Sequence, residues 1–323
     1  MGKIKSTLIR ITVLTLFILL AINIQCKYKL LPTTPSPDTI FIGIFISSTT
    51  GDDITGNGTK ALPYKTIQKA IDISVSGDNL LVAVGTYNEN IILKDGVSIY
   101  GGYNSDWSNR DNINRENLTY KTEIVPLTST HTVTAVSVSA TTIIDGFTIR
   151  SHSFGNNCIY NDNGSNLNIT NNTIRNEGGG ELYHRGIYNN NSSPKIEYNI
   201  IISGASFRNY GIHNFNSSPN IRYNSINGGN GSNSYAIYNE NSSNPQIRYN
   251  DINGGNGTSN SVGINNLTGS SPTITNNSIN GGTGNNSTAI INNNITTSLT
   301  INSNYIHGGT NGTCNGITEI AGS

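Results

Sequence analysis

Ser193-Pro194-Lys195-Ile196-Glu197-Tyr198-Asn199-Ile200-Ile201 holds an isoleucine, an asparagine three places on, and another isoleucine two places after that. The same skeleton stands at Ile169/Asn172/Ile174, Ile221/Asn224/Ile226, Ile247/Asn250/Ile252, Ile274/Asn277/Ile279 and Ile301/Asn304/Ile306, at intervals of 27, 25, 26, 27 and 27 residues. A second anchor keeps step with it at Ile159, Ile187, Ile212, Ile237, Ile264, Ile290 and Ile317, usually after Gly or Ala. A fixed period of this length means one supersecondary unit per repeat, each burying its apolar side only against its neighbours.

A lone isoleucine among polar residues cannot make a helix face, but it can be the inward residue of a three- or four-residue strand. Pro194, Pro219, Pro245 and Pro272, two places before the anchor, suit a strand's start, where no ladder donor is needed. Asparagine tolerates the left-handed conformation of a sharp bend. At one register it is expected to stack from coil to coil, each amide donating to the next: Asn172, Asn199, Asn224, Asn250, Asn277, Asn304. The Gly-Gly pairs beginning at Gly228, Gly254, Gly281 and Gly308 supply positive φ at the following corner. The expectation is an all-β solenoid of parallel strands with 25–27 residues per coil.

The pattern Pro-x-Ile-x-x-Asn-x-Ile followed by Gly-Ile-Tyr resembles the coil of right-handed parallel β-helices of the pectin-lyase-like superfamily, including its asparagine ladder. The resemblance covers about Ile144 to Ile317. It implies the fold but not one function, since that superfamily holds lyases, hydrolases, adhesins and proteins with no known activity.

Lys plus Arg and Asp plus Glu both number 19, so nothing in the net charge draws the chain to nucleic acid or an anionic bilayer. From Ser151 onward 42 residues are asparagine, a composition that often signals disorder. The fixed isoleucine register argues for an ordered array instead. Lys3, Lys5 and Arg10 precede an apolar run, Ile11 to Ile24, whose 14 residues fall short of the roughly 20 needed to span a bilayer. Residues 1–25 therefore read as a signal peptide. Cys26 resembles the lipidated first residue of a mature bacterial lipoprotein, although Gln25 replaces the small residue of the usual motif. Residues 26–40, with Pro32, Pro35 and Pro37, read as a tether. The expected location is the cell envelope, with the chain exported and held by acyl chains. Asn-x-Ser/Thr triplets such as those at Asn191, Asn216 and Asn241 are taken as by-products of turns rather than glycan sites.

Residues 41–107 differ in texture. Thr66 caps a predicted helix whose Ile67, Ala70 and Ile71 share one face, suited to plugging the solenoid's first coil. Strands are expected at 79–84, 91–93 and 97–102. Gly51-Asp52-Asp53, Pro63-Tyr64-Lys65-Thr66-Ile67, Gly85-Thr86-Tyr87 and Gly101-Gly102-Tyr103, closing on Trp107, are similar to the N-terminal segment of many secreted bacterial β-helix proteins. Asp52 and Asp53 fall short of the about six to eight oxygens that Ca²⁺ takes, so no metal is assigned. Residues 108–323 form the repeat domain, irregular from 108 to 142 with strands resuming at 133–138 and 143–149. Ile144-Asp145-Gly146-Phe147 fits the repeat with glycine at the bend. Cys158 and Cys314 lie about six coils apart, roughly 29 Å at ~4.8 Å per coil. A disulfide needs Cα atoms within about 7 Å, so both are expected as free, buried thiols.

By resemblance, a polysaccharide ligand lies along the outside of one sheet. One place after the second anchor, pointing outward, stand Tyr160, Tyr188, His213 and Tyr238, followed by Asn265 and Ile291. This column is the candidate platform for sugar rings or a partner's aromatic side chains. Its other reading is cross-strand stacking that stabilises the sheet. Two places further are Asp162, Asn190, Phe215, Glu240, Leu267 and Asn293; Asp162 and Glu240, three coils apart, are too distant to cleave one glycosidic bond. A second outward column, Thr170, Glu197, Arg222, Arg248, Thr275 and Asn302, looks like an ion-pair stack. Glu177, Glu181, His184 and Arg185 form a denser polar loop, the best place for catalysis if there is any. The preferred reading is a binding or structural module with a polysaccharide or protein partner and no cofactor. The alternatives are a polysaccharide lyase or glycoside hydrolase, or an assembly unit whose last coil near Ile317 stacks on another chain.

Overall fold

The computed structural model describes residues 43–111, 119–151, 157–178, 183–267, 269–293 and 299–320. The expected signal peptide, Cys26, the tether and Glu181 lie outside them. Three parallel sheets of ten, nine and nine strands run the length of the described chain and wind as a right-handed β-helix.

One coil explains the rest. Lys195–Glu197 turns Ile196 inward, Tyr198 bends the chain, and Ile200–Ile202 turns Ile201 inward. The chain then crosses to Arg208–Phe215, which buries Ile212, and returns through Ser217 to the next first-sheet strand, Asn220–Arg222. Each anchor pairs with its equivalent at zero offset, as in Ile196↔Ile221, Ile201↔Ile226 and Ile187↔Ile212. The outcome is one apolar column filled chiefly by isoleucine, fully buried until the last coil, where Ile301 and Ile306 are only partly covered. The prolines stand just before their strands and contribute a carbonyl: Asn220 N donates to Pro194 O at 3.1 Å and Gln246 N to Pro219 O at 3.0 Å.

The asparagine ladder forms as expected. Each Nδ2 donates to the Oδ1 of the next coil: Asn172 to Asn199 at 3.2 Å, then Asn199 to Asn224, Asn224 to Asn250, Asn250 to Asn277 and Asn277 to Asn304, all at 3.0 Å. The left-handed residue, however, is the one before it. Asn171, Tyr198, Tyr223, Tyr249, Asn276 and Ser303 take φ of 54°, 56°, 58°, 57°, 57° and 56°. The bend must swing the ladder amide inward, so the preceding residue takes the left-handed turn and points out. Of the Gly-Gly pairs, the second member supplies the positive φ, at Gly229, Gly255, Gly282 and Gly309.

Two further ladders were not anticipated. Asn161, Asn189, Asn214, Asn239, Asn266 and Asn292 are buried beneath the third sheet and bond in series at 2.7–2.8 Å, the last one donating to Glu319. At the turn into the next coil, the backbone N–H groups of Ser165, Ser192, Ser217 and Ser243 donate to the hydroxyls of Ser192, Ser217, Ser243 and Ser270. Each ladder lets polar groups enter a dry interior with hydrogen bonds made from coil to coil, Asn161 Oδ1 at the early end alone lacking a partner among the described residues.

The N-terminal coils are less regular. Helix α1, Ile67–Ile73, buries Ile67, Ala70 and Ile71, and Thr66 caps it by accepting from Lys69 N. The buried Glu89 carboxylate accepts from Ile67 N at 2.9 Å and Gln68 N at 2.8 Å. Coiling starts ahead of the clear repeats: Ile44–Ile46 pairs with Asn79–Ala83, which pairs with Ser98–Tyr103. The stretch read as irregular carries a second-sheet strand, Thr122–Val125, whose Ile124 is buried. The segment 143–149 is two strands, Ile143–Asp145 and Thr148–Arg150, parted by Gly146 at φ 82°. Cys158 is buried as expected but Cys314 is exposed, because no described coil covers the last third-sheet strand, Thr313–Ile320.

Candidate functional site

The outer face of the third sheet gathers most of the aromatic side chains of the repeats. Its strands are the longest, up to eight residues, because the segment between the glycine corner and the serine turn stays extended. Tyr160, Tyr188, His213 and Tyr238 are direct strand-to-strand partners. Their rings follow one another at 5.6 Å, 4.8 Å and 5.2 Å, and His131 extends the row at 4.4 Å from Tyr160. From His131 to His213 the rings are tilted or stacked face to face along the solenoid axis, so they turn edges outward. Tyr238 stands edge-on to His213, at 89°.

A second column, three residues earlier in each strand, escaped the sequence reading: Arg185, Tyr210, Tyr235 and Val262. Its signal was available, as a bulky residue two places before the isoleucine anchor in four successive coils. Tyr210 joins the columns, lying 4.9 Å from both His213 and Tyr238 and 5.5 Å from Tyr235. Arg185 lies in the same layer, its guanidinium 4.5 Å from the centre of the Tyr188 ring and within 5.6 Å of Tyr183 and Tyr210.

A charged relay crosses these columns. Arg185 Nε donates to His213 Nδ1 at 2.8 Å, and His213 Nε2 lies 2.8 Å from Glu240 Oε1. Since arginine keeps its protons, Nδ1 must be the acceptor, so the imidazole is neutral and Nε2–H donates to Glu240. Burial pushes the His213 pKa down, Arg185 pushes the same way and the Glu240 hydrogen bond opposes them. Burial also lowers Arg185 and raises Tyr188 and Tyr238, and carries Tyr210 up to about 12. At the other end Asp162 accepts from Tyr160 Oη and from Asn190 Nδ2, both at 2.9 Å.

Among the described residues the structure does not assemble the catalytic alternatives. Asp162 and Glu240 sit on strands three places apart in the sheet, roughly 14 Å at ~4.8 Å per strand, against the about 5–9.5 Å that glycosidic hydrolysis uses. Glu177 pairs with Arg150, His184 faces the interior and Arg185 lies in the aromatic layer, so these loop residues do not converge. Glu197 is nearly buried between Lys195 and Arg222, as the ion-pair reading expects. Asp52 and Asp53 are occupied by their own chain: Asp52 receives Ile54 N and Thr55 N, and Asp53 receives Lys65 N, Thr66 N and the Thr66 hydroxyl. Among the described residues no three His, Cys, Asp or Glu side chains converge as a metal site would require.

Three parallel sheets, an internal asparagine ladder and a helix at the first coil define a right-handed parallel β-helix of the pectin-lyase-like kind. A family model described as "Protein of unknown function (DUF1565)" matches residues 49–267, and the chain belongs to that family. Among solved structures, it is similar to the tailspike protein of an Acinetobacter baumannii bacteriophage, a capsular polysaccharide depolymerase. The TM-score is 0.43 and the identity 11%, over 80% of this chain and 49% of that one. The chain thus spans about half the length of that protein. No curated protein matches the sequence.

Proposed function

We propose that this protein is an exported β-helix whose third sheet is a binding face for polysaccharide, and that acyl chains on Cys26 hold it in the cell envelope. The observation that carries the first part is the double aromatic layer from Tyr160 to Tyr238, with Asp162, Asn190 and Glu240 along one margin. Such a margin offers donors and acceptors to a polyol, while the rings exclude water beneath it. The carboxylates along it already hold Tyr160, Asn190 and His213, which favours retention of a glycan over its cleavage. The anchor reading is supported by the basic flank, the short apolar run and the cysteine that follows.

A panel of acidic and neutral polysaccharides, with and without Ca²⁺, tests the binding face when both retention and chain length are followed. Retention by the wild type, lost in Tyr188→Ala and Tyr238→Ala, is the expected result. Cleavage would make the protein an enzyme and send attention to Glu177, Glu181 and His184. Retention of a protein partner alone would replace the glycan. Radioactive palmitate should label the wild type and not Cys26→Ser; equal labelling would remove the anchor.

A further inference from the structure

A separate aromatic column stands at the bend between the first and second sheets. The residue before each ladder asparagine must be left-handed. Gly146, Asn171, Asn276 and Ser303 fill that place in other coils. Glycine and asparagine adopt this conformation at little cost, whereas a bulky side chain there is a genuine outlier. Yet three consecutive coils use tyrosine: Tyr198, Tyr223 and Tyr249, at φ 56°, 58° and 57°. The bend does not require these rings, and steric strain retained at one place in successive coils points to a use for them.

The rings stack almost parallel, at 5.0 Å and 6° and then 5.3 Å and 10°. Beyond Tyr249 the next corner residue is Asn276, so no ring covers its far side, and Tyr249 is 48% exposed. Beside the column run Arg222 and Arg248. Arg222 lies 5.8 Å from the Tyr223 ring and pairs with Glu197, which also binds Lys195. Arg248 has no ion-pair partner among the described residues, and its Nε is out of water without a hydrogen-bond partner. Lys195 and Arg222 thus share Glu197, while Arg248, the strand partner of Arg222, has no carboxylate paired with it among the described residues.

We propose that this corner is a second ligand site, for an acidic sugar unit of a glycan, carboxylated or sulfated. The pyranose ring continues the stack on the open side of Tyr249, and its acid group takes the guanidinium of Arg248. Arginine offers a planar fork that matches a carboxylate or sulfate, and an aromatic ring offers a flat apolar surface to the sugar's C–H side. The site lies on a different face from the third sheet and does not rest on the reading of that sheet.

The test uses the full chain in detergent and direct binding of polygalacturonate, dextran sulfate, neutral dextran and polyglutamate. The expected result is binding of polygalacturonate or dextran sulfate in preference to neutral dextran and polyglutamate, weakened about tenfold or more by Arg248→Gln. Tyr249→Asn should weaken it similarly while leaving the melting temperature unchanged or higher, because asparagine is what the neighbouring coils use there. Arg248→Gln added to Tyr188→Ala should weaken polygalacturonate or dextran sulfate binding by the same factor as it does in the wild type, which separates the corner from the third sheet. The proposal is overturned if neither anionic glycan binds, if neutral dextran binds as well, or if both corner variants bind like the wild type. Equal binding of polyglutamate would assign the corner to an acidic protein segment instead.

Discussion

Inside the third sheet, two places after each anchor, every coil from Asn161 to Asn292 has asparagine; one place after the anchor, on the outside, the residues run Tyr, Tyr, His, Tyr, Asn, Ile. Adjacent positions on the same strands thus follow opposite rules. The inner position is fixed because each amide needs an identical neighbour on either side to meet its hydrogen bonds. The outer position has water as an alternative partner and is free to change from coil to coil. Uniformity therefore marks what holds the solenoid together, and departure from uniformity marks where a particular coil does something of its own.

The sharpest way to break that contrast is to remove one inner rung. Asn224 Oδ1 accepts both Asn199 N at 2.9 Å and Asn199 Nδ2 at 3.0 Å; the amide keeps Ile169 O and Glu197 O, but Asn224→Ala strands the buried Asn199 N–H. We expect a loss of about 3 kcal/mol by urea unfolding, against about 1 kcal/mol for Asn304→Ala at the uncovered last coil. Equal losses would mean that the rungs do not act through their neighbours. On the outer face, Tyr188→Ala removes stacking with Tyr160 and His213 and the cation–π contact with Arg185. About 2 kcal/mol should be lost, less than for the inner rung.

Acid should act on the outer layer next. The folded His213 pKa lies below the ordinary 6.5, chiefly through burial, and His131 is shifted the same way. Below about pH 6.5 the unfolded chain takes up protons that the folded one refuses, so stability present at higher pH falls as pH drops through that value. The slope is up to about 1.4 kcal/mol per pH unit for each histidine, and His213→Gln should flatten it in thermal melts from pH 7 to 5. The smallest effect leaves stability untouched: in a Cys26→Ser protein, a thiol reagent should find Cys314 quickly and Cys158 only after unfolding. Burial raises the Cys158 thiol pKa and so further suppresses its reactive thiolate. Rapid reaction of both would put Cys158 at the surface.

What the sequence made legible follows from the same contrast. The isoleucines, the ladder from Asn172 to Asn304 and the glycine corners could be read because a solenoid demands them at every coil. The second ladder was equally periodic, but a polar residue at an inward position runs against simple alternation, and only its partners in the next coil explain it. The bend was assigned to the ladder asparagine, although the left-handed residue is its predecessor, because either neighbour satisfies a spacing argument and only the backbone separates them. Tyr160, Tyr188, His213 and Tyr238 were recognised as one outward column, while Arg185, Tyr210 and Tyr235 needed the sheet register to appear beside them. The exposure of Cys314 reflects its place in the last coil, which residue type does not reveal.

The ladder of Asn172 to Asn304 also gives the solenoid a direction. Every amide donates toward the coil that follows it in sequence, so the Asn172 oxygen at the early end serves Phe147 N, while each later coil arrives with an oxygen for donors already in place. A chain synthesised from its N-terminus delivers its coils in that order. Each finished turn is then a template for the next, and assembly can keep pace with synthesis without waiting for the whole chain.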